Sequence, residues 1–331
     1  MNATMQQRNE ALRRFQGQLP GSQPYDNVRP INVPARCDGQ SLLECLCRMH
    51  PHVSVEQWQT WFRAGHVLSG ETPVKPEIVV RGGQQYRHLF PDTVEPDVDA
   101  RIQILAEEAL YIVVRKPAPL PVHPCGRFNR NTLIWLLETV YPPGEIRLVH
   151  RLDANTTGVM VMARTPSAAT DLRRQFELNQ IRKQYLVCCV GHPADDEFVC
   201  EDRVAKEVAA AGTREVRSDG HESRTQFRVL RRCPDGTTLL HAFPETGRTH
   251  QIRIHLWARG LPVVGDPTYL GGGQRAGRQT LLLSDPPMRL HAQRLSFCDP
   301  GNQQHVTFDG CDPDWASDED SGRSGSLHES G

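Results

Sequence analysis

The nine residues His150 to Gly158, HRLDANTTG, set one carboxylate, Asp153, between Arg151 and a small-residue turn made by Thr156, Thr157 and Gly158. An apolar run with strand character, Val159 to Ala163, follows at once. A carboxylate held on a short loop at a strand edge suits a nucleophile or a general base. Aspartate in such a place also closes turns and pairs with neighbouring arginines, so this motif alone leaves both readings open. A second segment, ETGRTHQIRIHL (Glu245 to Leu256), joins a turn to a helical pattern. Ile252 and Leu256 stand four apart, and Gly260 is the expected stop. Arg248 and Arg253 cannot both face the core of such a helix, and neither lies on its Ile252/Leu256 stripe. A third segment, RKQYLVCCVG (Arg182 to Gly191), alternates as a strand does: Tyr185, Val187 and Cys189 share one face and Leu186, Cys188 and Val190 the other.

The elements that must position these groups are mostly strands. Thr225 to Leu230 and Thr237 to Phe243 read as successive antiparallel strands. Thr165-Pro166 supplies an N-cap and first-turn proline for a helix through Leu172 and Phe176 that carries Arg173 and Arg174. Many strands with few helices predict an α+β fold around a mixed, mainly antiparallel sheet.

A chain of 331 residues is long enough for one large core and a smaller one, so two domains are expected. No run of about 18 apolar residues predicts a membrane span, and the first fifteen residues do not resemble a secretory signal. The ten cysteines are scattered without a CxxC pair and are expected as reduced thiols in a cytoplasmic protein. His250 and His255 are five apart, a poor spacing for one helix face, so no metal site is expected. The net charge is −1, but Asp309 to Gly331 holds seven acids against Arg323, a contribution of −6 that leaves +5 for residues 1–308. The expected organisation is a loose polar arm over residues 1–28, a small α/β module over 29–95, a catalytic domain over 96–310 and an acidic disordered tail over 311–331. In the module, helices are expected over Gly39 to Met49 and Ser54 to Ala64, with strands at His66 to Leu68 and Ile78 to Val80.

At its three motifs the sequence resembles the RluA family of RNA pseudouridine synthases. HRLDANTTG is similar to that family's aspartate motif, KQYLVCCVG to its tyrosine motif and GRTHQIRIHL to its arginine motif. Two flanking stretches agree: IVVRKPAPLPVHP (Ile112 to Pro124) and RLHAQRLSF (Arg289 to Phe297). The resemblance runs from roughly Ile102 to Phe308 and departs at Thr157, where the family usually has Ser, and at Arg164, where Lys is usual. Residues 29–95 resemble the α-L RNA-binding fold that often precedes the catalytic domain in this family, although their basic residues are nearly matched by acids.

The resemblance implies the chemistry. Pseudouridine formation breaks the bond from ribose to a ring nitrogen, turns the base and rejoins the sugar to a ring carbon. Electrons balance, so no cofactor is expected. Asp153 becomes the catalytic aspartate, acting on the uracil ring, on the anomeric carbon or on a ribose proton; the sequence leaves these three routes open. Arg253 is expected beside it, since a neighbouring guanidinium favours the ionised carboxyl, typically lowering its pKa by about 1–3. Tyr185 is expected to stack on the base and is also a candidate for the final proton acceptor, though an ordinary tyrosine is a poor base at neutral pH. Arg151 is expected to fill the space left by the extruded uridine. His150, Thr157, Arg248 and His250 are assigned to substrate binding, and Arg173, Arg174, Arg182 and Lys183 to backbone phosphates. The partner is structured RNA, with the chain taken as a monomer. VHPCGRFNRNTL (Val122 to Leu133) most resembles the branch acting on the tRNA anticodon loop, and large-subunit ribosomal RNA is the alternative. Two other classes compete: a non-catalytic RNA-binding assembly factor, and a glycoside hydrolase, which would need two flanking acids where the motifs offer Asp153 and Glu245.

Overall fold

The computed structural model describes residues 3–206 and 213–316. Contacts divide them into two units: Gly21–Glu95 is one, and the segment through Pro20 together with the chain from Pro96 onward is the other.

In the smaller unit, Ser41 and Ser54 cap the helices Leu42–Met49 and Val55–Arg63, and Ser41 with Glu44 completes a capping box. Leu42, Leu46, Trp58 and Phe62 are buried against Ile31, Val67 and Tyr86 of a four-stranded sheet, ordered Tyr25–Asn32, Gln85–Thr93, Val67–Ser69, Thr72–Pro73. Its two long strands were not expected, and the strand expected at Ile78 to Val80 is absent. There the backbone serves the start of a helix instead: Leu42 donates to the Ile78 carbonyl at 2.8 Å, and Val80 donates to the Gln40 carbonyl at 2.9 Å.

The larger unit is built on a mixed ten-stranded sheet, as the α+β reading expects. Its main path runs Glu197–Cys200, Thr225–Arg232, Thr237–Pro244, Arg182–Val190, Leu290–Cys298, Thr157–Ala163, Tyr111–Lys116 and Gln103–Glu107. Along that path the pair between Leu290–Cys298 and Thr157–Ala163 is parallel and the others are antiparallel. Period-two alternation splits the strand after Asp153 between two cores. Met160 and Met162 join Ile112, Val114, Leu133 and Leu136 on one side, while Val159, Val161 and Ala163 meet Ala168, Ala169 and Leu172 on the other. The last three belong to the helix Pro166–Glu177, capped by Thr165 as expected.

The expectation of a loose arm over residues 1–28 is corrected. Ala3–Arg13 is a helix whose Met5 and Leu12 enter the core with Phe15, beside Ile104, Leu136 and Tyr141. Arg8 donates to the Val140 carbonyl and pairs with Glu107, and Asn9 exchanges two hydrogen bonds with the Ile104 backbone. So few apolar side chains anchor this segment that its polar majority hides it from a composition reading. At the other end, residues 311–316 are not a free tail: Trp315 and Ala316 pack against Leu186, Cys188 and Leu239. The rest of the acidic stretch lies outside the described residues. Among the described residues no helix is long and apolar enough to cross a membrane.

Gly158 fixes how the aspartate loop enters the sheet. Its φ is +122°, and a Cβ there would stand 2.3 Å from the Ala292 carbonyl oxygen on the parallel neighbour. Gly158→Ala is expected to destabilise the protein by at least about 2 kcal/mol, since overpacking costs about 1–3 kcal/mol and a disfavoured φ about 1–3 kcal/mol. A melting temperature within a degree of wild type would contradict this.

Candidate active site

The sequence motifs converge on a cleft of about 830 Å³ whose walls include Asp153, Tyr185, Arg248, His250 and Arg253. Asp153 sits on the loop before the strand Thr157–Ala163, and three ties hold that loop. Its own carbonyl accepts from Thr156 at 3.1 Å, and the next carbonyl, that of Ala154, accepts from Leu120 at 2.8 Å and from the Lys116 ammonium at 3.1 Å. Lys116 is fully buried and donates to the Pro117 and Leu120 carbonyls as well. Burial pushes it down to about 7, against the pull of Asp153 and Asp99. The third tie is Asn155, whose side chain accepts from Leu281 at 3.0 Å and donates to the Gln279 carbonyl at 2.7 Å.

Arg253 lies on the helix Gln251–Ala258 with only 2 % of its surface exposed. Its Nε and Nη2 donate to both oxygens of Asp266 at 2.7 Å, and its Nη1 donates to Asp153 Oδ2 at 3.0 Å. The ring of Tyr269 lies 5.0 Å beneath the guanidinium. The expected Asp153–Arg253 pair is therefore present, and of the two arginines off the Ile252/Leu256 stripe Arg253 is the one that is buried. This helix is buried from Gln251 through Leu256, because each polar side chain on it finds an internal partner. Gln251 bonds Thr246 and the Arg224 carbonyl, and His255 bonds Thr225 and Ser223. Stripe reasoning assumes that polar helix positions face water, and here they do not.

The carboxyl of Asp153 is 25 % exposed and its two oxygens differ. Oδ2 faces Arg253 and, at 3.8 Å, the Nε2 of His250, while among the described residues no group bonds Oδ1. Burial works against ionisation, yet His250, Arg253 and Lys116 together hold the carboxyl below its ordinary range. His250 takes a left-handed backbone at φ 60° ahead of the helix, and its Nδ1 lies 3.0 Å from the Tyr269 hydroxyl. Burial lowers it and Asp153 draws it back up. For Tyr185, burial and the charge of Asp153 both raise the hydroxyl, so it stays protonated across the neutral range.

Arg151 lines the cleft, is exposed, and approaches His123 at 3.4 Å. Lys183 lines it too. His150 borders the cleft but is turned to structural work, its Nε2 accepting from Val161 and its ring stacked on Phe176 at 4.5 Å. Thr157 is not brought to the cleft; its hydroxyl lies 2.7 Å from His291 Nδ1 beneath the sheet junction. Arg173, Arg174 and Arg182 are exposed and outside the cleft wall, with Arg173 donating to the Leu148 carbonyl. Sequence reasoning missed Asp266, Tyr269 and Asn155. The run Gly265-Asp266-Pro267 does announce a turn, and Asp266 Oδ1 accepts from the amides of Thr268 and Tyr269, but nothing in it points to Arg253.

Asp266 is 1 % exposed, so Asp266→Asn strips one partner from a buried ion pair and is expected to cost about 3–5 kcal/mol in denaturant unfolding. Arg253→Gln leaves the burial of Asp153 less opposed. Its carboxyl, followed by carbon-detected NMR, should then titrate at higher pH than in the wild type. An unchanged titration would mean that Arg253 does not hold this group ionised.

Residues 110–258 match the family model described as RNA pseudouridylate synthase. The chain is 31% identical over 303 residues to ribosomal large subunit pseudouridine synthase D of Nitrosomonas europaea, covering 89% of this chain and 87% of that one. It is 33% identical over 300 residues to the protein of the same name in Xanthomonas campestris pv. campestris, covering 84% and 88%. Mouse pseudouridylate synthase RPUSD2 is 32% identical over 261 residues, 77% of this chain but 46% of that protein, so the chain spans about half the length of this relative. The solved structure of human RNA pseudouridylate synthase domain containing 1 superposes with a TM-score of 0.52 at 28% identity, over 64% of this chain and 84% of that one. The chain belongs to the RluA family of RNA pseudouridine synthases.

Proposed function

We propose that this protein isomerises a specific uridine in structured RNA to pseudouridine, with Asp153 as the catalytic residue. The observation that carries this is the asymmetric carboxyl of Asp153, a residue that lines an open cleft: Oδ2 is committed to Arg253, while Oδ1 has no bonding partner among the described residues. In the isomerisation, the bond from ribose C1′ to ring N1 breaks and a bond from C1′ to ring C5 forms. N1 gains a proton and C5 loses one, so nothing is added or removed overall. An ionised, oriented carboxylate serves the nucleophilic and the proton-abstracting routes alike.

Tyr185 is given the role of stacking against the base. Its raised hydroxyl disfavours use as the base that strips the C5 proton. Arg151, exposed at the rim, is given the space left in the RNA when the uridine is extruded, a change costing a few kcal/mol.

Two RNA classes remain in view, each with its own support. The stretch Val122 to Leu133 favours the tRNA anticodon loop, and Val122, His123 and Cys125 from it line the cleft. The two relatives matched along most of their length are named for the ribosomal large subunit, which favours that RNA and covers far more of the chain. Ribosomal RNA is therefore the first substrate to test.

The experiment is pseudouridine mapping in total RNA from cells with the gene, without it, and with Asp153→Asn in its place. One or more sites should vanish in the deletion and stay absent with Asp153→Asn, a loss of at least about 10³-fold in rate with purified RNA, the scale of removing a catalytic group. Full modification by the Asp153→Asn variant would overturn the assignment of Asp153. Release of free uracil would point to glycosidic hydrolysis instead.

A further inference from the structure

We propose that Lys183 and Arg248 together form the subsite for a single phosphate of the RNA, the one attached to the reacting uridine. This rests on the function proposed above and names the group of its substrate that these two side chains take. Both line the cleft that holds Asp153 and Tyr185. Lys183 lies on the strand Arg182–Val190, two residues before Tyr185, so both occupy the same strand face about 6.6 Å apart along it. A base stacked on Tyr185 brings its own phosphate within reach of Lys183.

The Arg248 guanidinium is near enough to disfavour the charge on the Lys183 ammonium. The Lys183 ammonium donates to the Thr246 carbonyl at 3.0 Å, and Arg248 Nε donates to the Glu222 carbonyl at 3.0 Å. Among the described residues neither forms an ion pair, although Glu177 borders the same cleft. Burial and Arg248 push Lys183 down to about 8, a cost that a bound anion would remove. Each side chain keeps unused donors, since a lysine has three and an arginine five. Between them, Gly247 carries no side chain, and a Cβ there would lie 3.8 Å from the Lys183 ammonium. A phosphodiester supplies the missing negative charge and several acceptor oxygens, and an arginine meets it through two parallel hydrogen bonds. The exposed Arg173, Arg174 and Arg182 lack this convergence.

Two measurements test the proposal on the full chain. Binding of total ribosomal RNA is followed across salt concentrations for wild type, Lys183→Gln, Arg248→Gln and the double variant. Each phosphate neutralised contributes about 0.7–0.9 to the slope of log K against log salt. Because one phosphate is shared, the double variant should lose about that much, and each single variant less, since the remaining cation still pairs with the phosphate. A fall twice as large in the double variant, or none in it, overturns the proposal. The second measurement reads the amine of Lys183, one of four lysines in the chain, by NMR with labelled lysine. Arg248→Gln should raise its pKa in the free protein, and inorganic phosphate should raise it in the wild type. No movement in either case also overturns the subsite. If the protein makes no pseudouridine but Lys183 still answers to phosphate, the function fails and the anion site stands. If Asp153→Asn abolishes modification while the salt slopes are unchanged, the reverse holds.

Discussion

One guanidinium, that of Arg253, organises the cleft by holding two carboxylates at once. Asp266 takes two of its nitrogens from inside, and Asp153 takes a third from the cleft side. A buried arginine with one carboxylate would be an adequate ion pair and nothing more. The second carboxylate changes what the pair is for: Asp266 fixes the guanidinium plane, and that plane fixes Asp153 by one oxygen. The remaining oxygen is left without a bonding partner among the described residues. Breaking such a buried pair costs far more than forming it gains, so its retention here is better explained by orientation than by stability.

The scaffold around this interaction is arranged to stop the aspartate loop from moving. Gly158 lets the strand that follows approach Ala292 without a clash. Lys116 reaches from a neighbouring strand to the carbonyl next to Asp153, and Asn155 grips the segment Gln279–Leu281. These ties come from parts of the chain far apart in sequence. They make the position of one carboxyl depend on the packing of most of the sheet, which suits a reaction that tolerates little misplacement.

What could be read in the sequence follows from how local each feature is. Asp153, Tyr185 and Lys183 sit on a turn and an alternating strand, patterns fixed by neighbouring residues, and the cleft contains all three. The burial of Arg253 was not legible, because its helix satisfies polar positions through partners elsewhere in the chain: Thr225 and Asp266 are examples. Thr157 was assigned to substrate binding as part of the aspartate motif, yet strand geometry sends its hydroxyl to His291. The first helix was hidden for a different reason. Met5, Leu12 and Phe15 are too sparse to form an apolar stripe, and their anchoring depends on residues about a hundred positions later.

That distant anchoring sets an order of events during synthesis. Residues 3–16 are made before Gly21–Glu95, while Ile104, Leu136 and Tyr141, against which they pack, appear only after the whole of that unit. The intervening unit has its own core and brings its two ends together through a bond from Glu95 to the Gly21 carbonyl at 2.8 Å. It can thus close first and shorten the gap that the opening helix must bridge to reach its seat.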